Sequence, residues 1–134
     1  MKTLRATIEA SDMVLAERVR IADNIWSRFW GLMGRHGMPA DEGLLITPCY
    51  SVHTMFMRFP IDVIFLDKDD RVLKIAPAMK PFRAAVGRGA RSVLEMNAER
   101  AAQVGVSIGA RVLFTETSQA PGQDPRRADD SRSP

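Results

Sequence analysis

The sequence predicts an α+β fold: a mainly antiparallel, curled sheet or partial β-barrel with two short helices packed on it. Three observations predict it. Short β-compatible runs outnumber helical ones. Most links between them are too short for the crossovers that parallel strands require. Only two segments combine a helical pattern with start and stop signals, residues 25–34 and 98–104.

The elements follow in chain order. Residues 4–9 and 14–22 alternate weakly and read as strands. Asp23 offers an N-cap for a helix from Ile25 to Gly34, where Ile25, Phe29, Leu32 and Met33 share one face and Trp26 and Trp30 a neighbouring stripe. Gly34, Gly37 and Pro39 end it. Gly43 to Thr47 is a buried strand stopped by Pro48, and Ser51 to Met57 is extended up to the break at Pro60. Ile61 to Leu66 is the strongest strand signal in the chain. The polar turn Asp67-Lys68-Asp69-Asp70 joins it to a hairpin partner, Arg71 to Ala76. Two prolines and two glycines make residues 77–90 a long loop by composition. Ser92 to Met96 is a further strand. Asn97 can cap a helix from Ala98 to about Val104 that Gly105 closes, and Ala110 to Glu116 is the last strand.

Composition sets the class. A chain of 134 residues with 46% hydrophobic and 26% charged content fits one soluble domain, drawn here as residues 1–116. Residues 117–134 carry Pro, Gly, Ser and balanced charge without a large apolar side chain, and read as a disordered polar tail. The isoelectric point is about 9.5, but the net charge is only +3. The basic residues are interspersed with acids, so nucleic-acid binding is not indicated. The single cysteine, Cys49, allows no intrachain disulfide. No apolar run reaches the roughly 20 residues of a membrane span, and no signal-peptide core follows Met1, so the expectation is a cytoplasmic protein without a membrane partner.

The chemistry-bearing residues concentrate between His53 and Asp67. That run places His53, Arg58 and Asp62 among apolar residues, and charged groups there require partners. Two readings stand side by side. In one, Arg58 holds an anion while His53 and Asp62 form a proton-transfer pair. In the other, Asp62 accepts backbone N–H bonds at a turn or pairs with Arg28 or Arg35, and His53 is a structural residue. Lys80, Arg83, Arg88 and Arg91 add a basic loop in which Gly87 and Gly89 let backbone N–H groups approach a phosphate or carboxylate. The alternative is an ordinary solvated loop.

Other chemistries find little support. Cys49, His53 and His36 are the only soft ligands, too few and too widely spaced for a structural zinc site, so no metal is expected. Asp67 to Asp70 lacks the glycine and glutamate of a calcium loop and reads as a turn. No serine sits in a nucleophile elbow, and no glycine-rich dinucleotide or Walker loop is present, so no cofactor is expected. The methionines are core fillers by default, and the tryptophan pair covers the sheet.

Four segments resemble a known family. Arg28-Phe29-Trp30-Gly31-Leu32-Met33-Gly34-Arg35 is similar to its R-x-x-G-L-M-x-R helix. His53-Thr54-x-x-Met57, Asp62-Val63-x-Phe65-x-Asp67 and Ser92-Val93-Leu94-Glu95 follow in the family's order. The chain is identified as a member of DUF192, a domain family of unknown function, over residues 12–116. It departs in two places: the family often has Trp before its Met and then Lys-Asn-Thr, and many relatives carry an export signal. The resemblance implies a small, compact, β-rich domain and no reaction.

The leading functional expectation is a non-enzymatic domain that binds a small anionic ligand or a protein partner. Its groove would be lined by Arg35, His53, Arg58, Asp62, Arg83 and Arg88. A hydrolase or isomerase using His53 with Asp62 or Glu95 is the second reading, and a structural or assembly module the third. Oligomeric state is not legible.

Overall fold

The computed structural model describes residues 3–22, 38–54 and 57–117. Their strands are β1 (Thr3–Ile8), β2 (Val14–Ala22), β3 (Glu42–Ile46), β4 (Ser51–His53), β5 (Ile61–Leu66), β6 (Val72–Met79), β7 (Ala84–Val86), β8 (Ser92–Asn97) and β9 (Val112–Glu116), and a short helix, α1 (Arg100–Val104), follows β8. Seven strands form one sheet in the order β6-β5-β8-β3-β2-β1-β9, while β4 and β7 form a separate two-stranded ribbon. Every neighbouring pair is antiparallel except β2 and β3, which run parallel.

The large sheet curls until its two edges meet at one end. Arg71 and Arg111 form an antiparallel bridge between the start of β6 and the start of β9. Val72 N–H donates to Ala110 O at 2.8 Å, Gly109 N–H to Val72 O at 2.8 Å and Val112 N–H to Asp70 O at 2.9 Å. The molecule is thus a mostly β half-barrel, which meets the α+β expectation only in coarse form. Among the described residues there is one helix rather than two, because residues 25–34 lie outside them.

Both faces of the sheet are covered, which explains why β5 reads as a continuous apolar run. Ile64 and Leu66 pack inside the curl with Leu94, Met96, Leu15, Val19 and Val112. Ile61, Val63 and Phe65 point the other way and pack with Val93, Leu44, Ile46, Val52, Met57 and Phe59. All five apolar side chains of β5 are fully buried. Each contributes about 1.5–3 kcal/mol relative to exposure, so this strand anchors the domain.

Two expectations are corrected here. The stretch 77–90 is not one long loop: β6 continues through Pro77 to Met79, and β7 occupies 84–86. Pro77 is tolerated because β6 is an edge strand with an irregularity there, where Ile61 pairs with Met79 but Val63 with Ala76. Nor does Asn97 cap α1. The N-cap is Glu99 in a left-handed conformation, φ 71°, with no side-chain cap of its own. Gly105 closes the helix as expected, its N–H donating to Ala101 O at 2.9 Å with φ at 82°. Thr117, assigned to the tail from sequence, donates its N–H and hydroxyl to Thr3 O at 3.0 and 3.2 Å. Residues 118–134 lie outside the described residues.

Candidate functional site

Two buried polar side chains organise the backbone around the segment that the sequence singled out. The first is Asp62, fully buried in β5. Its Oδ1 accepts N–H bonds from Ala78 at 2.7 Å and Glu99 at 2.9 Å, and its Oδ2 accepts one from Ala101 at 2.8 Å. Ala78 and Glu99 are both non-glycine residues at positive φ, 46° and 71°. Such conformations cost about 1–3 kcal/mol each and persist only when the surroundings over-determine them. The carboxylate supplies that determination, holding the β6 irregularity and the start of α1 together. It is the turn-binding role weighed from sequence, with partners 16, 37 and 39 residues away.

The second is Thr54, also fully buried, at the end of β4. Its hydroxyl donates to Lys80 O at 2.6 Å and accepts the N–H of Arg83 at 2.7 Å. Its backbone N–H donates to Arg83 O at 2.7 Å, and its carbonyl accepts the N–H of Phe82 at 3.0 Å. Phe82 sits at φ 62°. Thr54 stands in the His53-Thr54-x-x-Met57 motif, but the sequence assigns it no role, because its partners lie 26 and 29 residues away.

The clamp lays the basic segment along residues 49–54. Ser51, Val52 and His53 pair with Val86, Ala85 and Ala84. Gly87 N–H donates to Tyr50 O at 2.8 Å and Cys49 N–H to Arg91 O at 2.9 Å. Gly87 is required by packing: a Cβ there would stand 2.4 Å from the Phe65 ring. Lys74 fastens the ribbon to β6 by donating to Val86 O at 2.9 Å, its ammonium 5.8 Å from the Phe65 ring centroid. Ala90 N–H donates to Gly87 O at 3.1 Å, closing a turn with Gly89 at φ 83° and Arg88 exposed. At this end an open cleft of about 340 Å³ is lined by Pro48, Cys49, Tyr50, Ser51, Ala90 and Arg91.

The candidate residues therefore separate. His53 is half-buried on β4 opposite Ala84, with Arg83 beside it through Thr54. Arg88 lies at the far end of the same ribbon, and Arg58 is exposed between buried Met57 and Phe59. Asp62 is not with them: it faces Ala101 inside the curl, whereas Val52 packs on the opposite sheet face with Val63 and Phe65. Glu95, fully buried, pairs with Val63 and shares that opposite face. Arg35 lies outside the described residues, as do Arg28, His36, Trp26 and Trp30. Among the described residues no cluster of three or more His, Cys, Asp or Glu is arranged to hold a metal ion.

Charge separates the two halves of the molecule. Around β1, β2 and β9, Arg5 pairs with Glu17 at 2.8 Å, Arg18 with Asp41 at 3.1 Å and Glu42 at 3.4 Å, and Arg111 with Glu9 at 3.7 Å. The Arg18 guanidinium is held above its ordinary pKa by the hydrogen bond and charge of Asp41. On the ribbon side, Arg58, Lys80, Arg83, Arg88 and Arg91 are exposed, and among the described residues no carboxylate pairs with them. The signal was present in the chain. Residues 43–61 and 71–94 contain no acid, while the second stretch carries Arg71, Lys74, Lys80, Arg83, Arg88 and Arg91. Basic and acidic residues are interspersed over the whole sequence but not here.

Comparison with known proteins places this architecture. Residues 6–114 match the family model DUF192, described as Uncharacterized ACR. A UPF0127 protein of Pyrococcus furiosus is 40% identical over 83 residues, covering 58% of this chain and 69% of the relative. One from Pyrococcus horikoshii is 34% identical over 93 residues, covering 65% and 78%. Among solved structures, a candidate transcription regulator from Sinorhizobium meliloti superposes with a TM-score of 0.72 at 26% identity, covering 84% of this chain and 92% of that one. A protein of unknown function from Novosphingobium aromaticivorans gives 0.68 at 27% identity, covering 83% of each. No helix among the described residues is long and apolar enough to cross a membrane. With the half-barrel built on the Asp62 and Ser92–Glu95 strands, the match of the family model over residues 6–114 shows that the chain belongs to the DUF192 family.

Proposed function

We propose that this protein is a non-enzymatic binding domain that recognises a small anionic ligand on the β4–β7 ribbon. One observation carries the reading. A buried threonine clamps a segment bearing Lys80, Arg83, Arg88 and Arg91 against His53, and no described carboxylate neutralises those cations. Cations gathered along one ribbon without a described acid favour an anion there.

Binding is favoured over turnover by the groups on offer. The ribbon presents cations, aromatic rings and one imidazole. Asp62, one of the two carboxylates that could partner His53 in an acid–base pair, has both oxygens engaged by amides on the other face of the sheet. A binding module is also the kind of part a transcription regulator uses, which is how the Sinorhizobium neighbour is described.

Inorganic pyrophosphate tests the reading. Millimolar pyrophosphate should raise the thermal midpoint in a concentration-dependent way, and titration calorimetry should give a saturable heat. The double variant Arg83→Ala, Arg88→Ala should fold normally and lose both signals. Wild-type protein with no shift and no heat would overturn the proposal.

A further inference from the structure

The ribbon carries more than charge. Tyr50 and Phe82 are each 63% exposed and Val86 is 50% exposed, all on or beside β4 and β7. Cations interleave with them along the chain: Lys80, Phe82, Arg83, Val86, Arg88, Arg91. Phe82 is the informative member. It holds an aromatic ring in water from a left-handed backbone, φ 62°, fixed by Thr54 O. Glycine or asparagine would occupy that turn with less strain and without exposing a ring. Strain at an exposed aromatic, held by a buried clamp, points to recognition rather than stability.

The backbones that carry the two rings lie at opposite ends of the ribbon. Tyr50 O accepts the N–H of Gly87 at one end, and Thr54 O accepts the N–H of Phe82 at the other. Four residue steps at about 3.3 Å each separate Tyr50 from Thr54, roughly 13 Å along the strand. That span exceeds one base, so both rings suit an extended chain of planar groups joined by anions. Resting on the ribbon's assignment as an anion site, we propose that it binds single-stranded nucleic acid, with bases stacked on Phe82 and Tyr50 and phosphates held by Lys80, Arg83 and Arg88. Aromatic platforms interleaved with cations are how sequence-tolerant strand binding is built. Duplex reading fits poorly: α1 has five residues and packs at the Asp62 side, and the ribbon strands have three residues each. An acidic peptide would use the cations but gain little from two separated rings.

Fluorescence anisotropy of the full chain with a short labelled oligothymidylate is the test. Three phosphate contacts at the single-strand slope predict affinity falling about twentyfold between about 50 and about 200 mM salt. Phe82→Gly should keep or raise the thermal midpoint, since it relieves the strained turn, and weaken binding about tenfold or more. Tyr50→Ser should add to that loss. Unchanged affinity in both aromatic variants, or equal competition by polyglutamate, would overturn the inference while leaving the anion site standing. Pyrophosphate binding without oligonucleotide binding has the same meaning. If neither probe binds, both proposals fall.

Discussion

The Asp62 seam and the Thr54 clamp are built alike and surrounded differently. Each centres on a fully buried polar residue that accepts backbone N–H groups beside non-glycine residues at positive φ: the Asp62 carboxylate takes those of Ala78 and Glu99, while the Thr54 hydroxyl takes that of Arg83 and its backbone carbonyl that of Phe82. At Asp62 the product is internal, since β6, β5 and α1 are pinned where the sheet curls. At Thr54 the product faces outward, a row of cations without described acids and two rings in water. A buried clamp therefore does not by itself mark a functional site. What it presents to solvent does.

The sharpest way to break this comparison is at the seam. Asp62→Ala removes three hydrogen bonds, leaving the buried Ala101 N–H and the part-buried N–H groups of Ala78 and Glu99 without their acceptor. A loss on the order of 3–5 kcal/mol is expected, read from urea denaturation. A loss near zero would mean that the left-handed turns hold themselves. Pyrophosphate binding, measured below the new midpoint, should be unchanged, because the carboxylate faces away from the ribbon.

Thr54→Val should cost less, about 1–3 kcal/mol, because the backbone bonds to Arg83 and Phe82 remain. Its larger effect should be on the ligand: pyrophosphate affinity should fall although no cation has been removed. If stability drops as far as in Asp62→Ala while affinity is untouched, the clamp is structural and the contrast between the two regions dissolves.

The smallest effect lies in the β5–β6 turn, which belongs to neither clamp. Asp67 Oδ1 accepts the N–H of Arg71 at 3.0 Å and of Asp69 at 2.8 Å. The Arg71 bond chiefly holds this carboxyl below the ordinary range, with Asp69 assisting. Its stabilisation is present above the unfolded-state value and is lost as pH falls through the depressed folded value. Asp70, three residues on at φ 63°, is shifted the other way, raised chiefly by burial. Its proton is favoured by folding, so its contribution declines as pH rises through the raised value. Denaturation midpoints from pH about 2 to about 7 should show Asp67→Ala flattening the acid arm and Asp70→Asn stabilising mainly at the neutral end. Parallel curves for both variants would remove the turn from the pH response.

Much of the frame was legible in the chain. Val14–Ala22 and Ile61–Leu66 are strands with the bounds that their patterns predict, and Gly105 ends α1 because a left-handed cap there suits glycine. The DUF192 motifs identified the family, and the turn at Asp67 announced the hairpin. Local chemistry writes such features, since periodicity and turn residues act over a few positions.

The rest depended on partners far along the chain. Ala84-Ala85-Val86 carries no strand signal and becomes β7 only because β4 lies beside it. Pro77 looked like a break and is a tolerated irregularity on an edge strand. Asn97 looked like a cap, yet the amides of Glu99 and Ala101 are taken by an aspartate nearly forty residues upstream. The functional residues divide in the same way. His53, Arg58, Arg83 and Arg88 were visible as chemistry, but the curled sheet turned Asp62 away from them, and Thr54 together with the β4–β7 pairing set Phe82 and the basic segment along the ribbon. Sequence determined which side chains carry charge, rings and turns. Tertiary structure decided which share a surface, because hydrogen bonds between residues 16 to 39 positions apart leave no local trace.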